Sequence, residues 1–193
     1  MITEATGSDR AWRRYLHEIP PGYEFATWES CGFQNDIEQW VRTVQNPDER
    51  RGLVLSGSPG SGKTMAVSLM ALVISFLAKD DERRKKSKCH DLTFCYAPEL
   101  IDYVRDPENS LSPLMQVKWL IWDDAGAGHE TAWTVGDRLL RVFEERHRYR
   151  LPTIVTTNLS ADDWQTRAFY PRLQWRIAGQ AMDWIEVGGK SKR

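Results

Sequence analysis

Two kinds of apolar segment alternate along the chain. Short, nearly continuous apolar runs at 52–56, 92–96, 117–122, 152–156 and 182–187 predict strands, the third broken only by Lys118. Between them, apolar residues recur at helical spacing. The segment 33–44 carries Phe33, Ile37, Trp40, Val41 and Val44 on one face, and 133–148 carries Val135, Leu139, Leu140, Val142 and Phe143. Helices are also predicted over 63–78, 97–105 and 161–178, the last interrupted at Tyr170-Pro171, while 106–113 reads as a loop. Strands that are apolar throughout, separated by helices, predict a parallel sheet covered on both faces, hence an α/β domain.

The ends and one internal stretch break this rhythm. Residues 1–9 are polar without periodicity, and 11–17 form a short amphipathic turn stopped by Ile19-Pro20-Pro21-Gly22. The expected organisation is an N-terminal arm, 1–22, followed by one domain, 23–193. Residues 79–88 are entirely polar and include Arg83, Arg84, Lys85 and Lys86; a solvated loop or a nucleic-acid contact fits that run.

Composition narrows the classes. A chain of 193 residues with 26 Lys+Arg and 27 Asp+Glu has net charge −1, so no global cationic field draws nucleic acid or membrane. Any polyanion contact must be local, at Arg83–Lys86 or at Arg146, Arg148 and Arg150, and both sets read equally well as solvated surface. Three cysteines, an odd number, with no signal peptide and no long apolar run, predict reduced thiols in a cytoplasmic protein without a membrane partner. Cys89-His90 beside Cys95 lacks a second ligand pair for zinc. Nine tryptophans are many for this length and belong in the core or at an interface.

The chemistry begins at the end of the first strand. Gly57-Ser58-Pro59-Gly60-Ser61-Gly62-Lys63-Thr64 matches the phosphate-binding loop G-x-x-x-x-G-K-[ST], with a strand before it and a helix after it. Glycines let successive amides turn inward as an anion nest at a helix N-terminus. The ammonium of Lys63 is then expected on the β- and γ-phosphates of ATP and the Thr64 hydroxyl on Mg2+. Eight matching positions and both flanks argue against a plain glycine-rich turn. Such a loop needs a strand-end carboxylate, and Asp123-Asp124 after 117–122 supplies two: Asp123 for the metal, Asp124 as general base toward the attacking water. At the end of the next strand, the Asn158 amide of Thr156-Thr157-Asn158 can sense the γ-phosphate, or the segment 158–162 is simply a loop and helix cap.

The string from Leu120 to Gly126, taken with Arg146, the string from Leu151 to Ser160 and the closing Gly188-Gly189-Lys190-Ser191-Lys192-Arg193, resembles the AAA+ ATPases of the DnaC helicase-loader and IstB transposition-ATPase group, from about Tyr23 onward. The resemblance implies a three-layer P-loop AAA+ sandwich with a five-stranded parallel sheet, the loop strand near its centre, and little or no C-terminal lid domain. It implies a sensor role for Asn158, an arginine finger donated to the neighbouring subunit at Arg176, with Arg172 as the alternative, and a second sensor arginine at Arg193. It further implies head-to-tail homo-oligomers and a replicative helicase or transposase as partner; the candidate DNA contact, Arg83, Arg84, Lys85 and Lys86, comes from the charge run and not from the resemblance. Three features depart from the group: only a short arm precedes the domain, the interval 103–118 is too brief for the loaders' DNA-touching insertion, and Asp124 stands where glutamate is usual. Beside a helicase loader, an IstB-like transposition regulator and a nucleotide-gated adaptor docking through Trp12, Tyr15 and Trp28 stay open. A small-molecule kinase is disfavoured by the TTN segment.

Overall fold

The computed structural model describes residues 35–37, 39–40, 51–79, 92–126, 132–166 and 182–187. Five strands, β1 (Gly52–Gly57), β2 (Leu92–Tyr96), β3 (Trp119–Ala125), β4 (Thr153–Thr157) and β5 (Met182–Val187), form one sheet in the order β2-β3-β4-β1-β5. Every neighbouring pair is parallel. The loop strand β1 lies one place off the middle, which β4 occupies. Helices α1 (Lys63–Lys79), α2 (Ala97–Arg105), α3 (Ser112–Gln116), α4 (Ala132–Arg148) and α5 (Ala161–Thr166) connect the strands, and residues 35–37 and 39–40 are helical as well.

Continuously apolar strands are explained by the two cores they separate. Leu53, Leu55, Phe94, Ile121 and Ile154 face a layer built from Ala66, Val67, Met70 and Ile74 of α1, together with Ile37 and Trp40. The intervening residues Val54, Cys95, Leu120, Trp122 and Val155 face Leu100 and Val104 of α2, Leu114 of α3, Leu139, Val142 and Phe143 of α4, and Trp164 of α5. Strand residues point alternately to opposite faces, so each face needs its own apolar set. The tryptophans serve both layers: Trp40 packs edge-on against Trp119, Trp122 lies against Phe143, and Trp164 meets Trp184. Cys95 is a buried free thiol on one of these faces. Cys31, Cys89, Trp12, Tyr15 and Trp28 fall outside the described residues.

Two sequence expectations change here. The loop expected at 106–113 is present over 106–111 but ends earlier, in α3, which has a proline in its first turn, where a missing N–H removes no helical bond. This interval is tied down: the Tyr103 hydroxyl donates to Ser110 O at 2.6 Å, and Arg138 donates to Asn109 O at 2.6 Å. The larger correction concerns Arg146, offered above as a surface cation for DNA. It is buried, and its guanidinium donates to Leu114 O, Val117 O, Lys118 O, Pro152 O and Thr153 Oγ1 at 2.7–3.4 Å. A side chain so enclosed cannot meet a phosphate backbone. Arg148 and Arg150 of the same set are exposed, Arg148 pairing with Glu145 at 2.8 Å.

Candidate nucleotide site

All five strands run the same way, so the carboxyl ends of β1, β4 and β3 lie side by side at one edge of the sheet. Strand β4 stands between the loop strand and the acid strand, so residues at its end can reach both. The loop 57–64 turns at Gly60 (φ 77°) and Gly62 (φ 96°), left-handed conformations that side chains disfavour. A Cβ placed on Gly62 would meet nothing within 4 Å, so the loop opens there toward free space before α1 begins.

The functional side chains form a closed ring. Lys63 Nζ donates to Asn158 Oδ1 at 2.9 Å, and Asn158 Nδ2 donates to Asp124 Oδ1 at 2.9 Å. The Asp124 amide donates to Thr156 Oγ1 at 2.8 Å, and that hydroxyl donates to Asp123 Oδ1 at 2.6 Å. Thr64 Oγ1 donates to the same carboxylate, 3.1 and 3.2 Å from its two oxygens, and its neighbour Lys63 closes the circuit. Lys63 also donates to Gly57 O at 2.8 Å, Ser58 O at 2.9 Å and Ser61 Oγ at 3.3 Å. The structure thus unites Lys63, Thr64, Asp123, Asp124 and Asn158.

Charge in this ring is shaped chiefly by burial. Burial lowers the Lys63 pKa, while Asp124 and Asp123 pull it back up. Burial likewise raises Asp123; the hydrogen bonds from Thr156 and Thr64 oppose the rise, Asp124 adds to it and Lys63 subtracts. At the rim stands Tyr96, the register partner of Asp123 on β2 and 42 % exposed. Burial and then the two aspartates raise its hydroxyl.

The donor set fits a magnesium-bound nucleotide. Magnesium takes one or two carboxylates with substrate phosphates rather than a protein cage. Asp123 and Thr64 already converge on one point. Among the described residues no cluster of three or more His, Cys, Asp or Glu could hold a metal by itself.

Sequence reasoning missed Thr156 as a member of the site. It stands in the quoted TTN segment, and its signal was a hydroxyl two residues before Asn158, the spacing that puts side chains on one side of an extended chain. The two readings of Asn158 also turn out to be compatible. The helix cap falls to Ser160, whose Oγ accepts from the Asp163 amide at 3.0 Å and donates to Asp163 Oδ2 at 2.7 Å, which leaves Asn158 free for the ring. Asp124 has φ 60°, a conformation that aspartate tolerates better than longer side chains, giving a backbone reason for aspartate where glutamate is usual. Arg172, Arg176 and Arg193, and the run Arg83, Arg84, Lys85 and Lys86, fall outside the described residues.

No family model and no curated protein matches the chain. Solved structures do. It is similar to the DnaI crystal structure, with TM-score 0.63, 23% identity, 91% of this chain and 92% of that chain covered. It is similar to the DnaC helicase loader, with TM-score 0.62, 21% identity, and 86% and 98% covered. AMPPCP-bound DnaA from Aquifex aeolicus follows with TM-score 0.59 and 16% identity, over 83% of this chain and 49% of that one. The fold is that of P-loop AAA+ domains. Among the described residues no helix is long and apolar enough to cross a membrane.

Proposed function

We propose, taking the AAA+ fold as premise, that this protein binds and hydrolyses ATP, assembles head to tail, and loads or regulates a DNA-replication partner in the manner of a DnaC-like helicase loader. The observation that carries the reading is the hydrogen-bonded ring joining the phosphate loop to both strand-end acids through Asn158. Magnesium, when bound, would neutralise charge on the β- and γ-phosphates.

The chain's own groups divide the remaining work. The loop amides from Gly57 to Lys63 receive phosphate oxygens, and Lys63 exchanges its loop carbonyls for the phosphate tail. Thr64 and Asp123 would hold the metal. Asp124 accepts the proton of the attacking water, and Asn158, bonded to both Lys63 and Asp124, reports the γ-phosphate to the base. Arg176, or Arg172 four residues earlier in the sequence, is proposed as the finger reaching the next subunit's site, with Arg193 as a sensor in its own. Contact with DNA is proposed through Arg83, Arg84, Lys85 and Lys86.

Phosphate release, measured at low and high protein concentration with and without single-stranded DNA, tests the reading. Turnover should rise with assembly. Asp124→Asn should bind ATP yet lose roughly 10²–10⁴ of its turnover, and Arg176→Ala should lose only the assembly-dependent part. Turnover that is normal in Asp124→Asn, or independent of protein concentration, would defeat the hydrolytic and oligomeric parts respectively.

A further inference from the structure

Successive strand residues point to opposite faces, so adjacent aspartates in a regular β3 could not both serve one site. The register shows how this chain solves that problem. Trp122 lies opposite Val155 and Ala125 opposite Thr157, so two residues, Asp123 and Asp124, face the single Thr156. This is a β-bulge, in which one extra residue is accommodated by a local kink. Asp124 takes a left-handed conformation at this kink.

A bulge draws an amide out of the ladder, and here the Asp124 amide goes to Thr156 Oγ1 at 2.8 Å. The same hydroxyl spends its one proton on Asp123 Oδ1 at 2.6 Å. It thereby accepts from the main chain of one acid and donates to the carboxylate of the other. Thr156 is fully buried, so neither contact is replaced by water if the hydroxyl is removed.

We infer that Thr156 is a positioning residue whose single hydroxyl sets the metal carboxylate and the base in fixed relation. The inference rests on the roles given above to Asp123 and Asp124. Without the hydroxyl, Asp123 loses the bond that aims it toward Thr64, and Asp124 loses the amide anchor that presents its carboxylate to Asn158. The methyl of Thr156 is dispensable to this role, and the oxygen is not.

Thr156→Val, Thr156→Ser and the wild type are compared by magnesium titration of ATP binding and by turnover at saturating ATP. In the valine variant the magnesium requirement should rise by about 10–100-fold, the usual effect of deleting a partner behind a metal ligand. Its turnover should stay low even at saturating magnesium, while its magnesium-free ATP affinity is unchanged. The serine variant should restore both quantities. Should Thr156→Val not fold, Thr156→Cys, with only a weak thiol donor in the same place, carries the same test. A lower melting temperature with wild-type magnesium dependence and turnover would overturn the inference. Absence of magnesium-dependent ATP binding in the wild type would instead overturn the functional reading on which it rests.

Discussion

Two buried cations sit at opposite edges of the same sheet, and they are held by similar partners to different ends. Lys63, where β1 and β4 finish, donates to two loop carbonyls, a serine hydroxyl and the Asn158 amide oxygen. Arg146, where β3 and β4 begin, donates to four main-chain carbonyls and the Thr153 hydroxyl. Two aspartates lie near Lys63 and pull its pKa upward against burial. No carboxylate pairs with Arg146 among the described residues. Burial lowers its pKa to about 9, with Cys95 acting in the opposite direction, so it remains charged at neutral pH. The planar guanidinium fork can bind the carbonyls of α3, its C-terminal turn and the β4 entry at once, which an ammonium cannot. Lys63 is thus the cation proposed to take up the phosphate tail, and Arg146 one that joins three chain segments.

The largest effect should come from breaking the second of these. Arg146→Ala leaves four buried acceptors and one part-buried acceptor without this donor, and stability should fall by about 3–5 kcal/mol. Thermal unfolding should show it as a drop on the order of 10 °C. Arg146→Lys should fall between the two, with ATP affinity at low temperature within about twofold of the wild type; a loss of affinity as large as the loss of stability would erase the distinction. Lys63→Ala should behave the other way round. Its melting point without nucleotide should stay close to the wild type, because the loop crest it leaves is exposed to water. ATP affinity should fall by roughly 100-fold, about 2.7 kcal/mol. The smallest effect is in pH. The Lys63 pKa is lowered in the fold, so the folded protein binds fewer protons there than the unfolded chain as pH approaches 10.5. The wild type should therefore gain stability relative to Lys63→Met as pH rises through that window. Denaturant titrations of the two proteins at neutral and alkaline pH give the sign, and a relative loss would mean that burial does not dominate at Lys63.

The same pair of residues shows what the sequence makes legible. Lys63 is read from eight contiguous residues that match a phosphate-binding loop, and the structure sets it against the Gly57 and Ser58 carbonyls and Asn158. Arg146 sits in Arg146-His147-Arg148-Tyr149-Arg150, a run whose composition suggests solvent. The contrary signal was positional: Arg146 is four residues after Val142 and three after Phe143, on the apolar face of α4. Composition outweighed periodicity there, and the periodicity held the answer. The strands and most helices were legible because each buries a distinct side of the sheet. The bulge at Asp123 and Asp124 was not, since two adjacent acids look alike in sequence whether or not the backbone kinks between them. Short α3 was hidden for a local reason, because a proline that excludes a helix interior is welcome in a first turn.

Calorimetric titration of ATP into the folded protein, with and without magnesium and with Asp123→Ala as control, tests the central claim most directly. The account predicts one ATP bound per chain, tighter with magnesium in the wild type, and no gain from magnesium in the variant. Well-folded wild-type protein that gives no binding heat and no thermal protection from ATP and magnesium would contradict it.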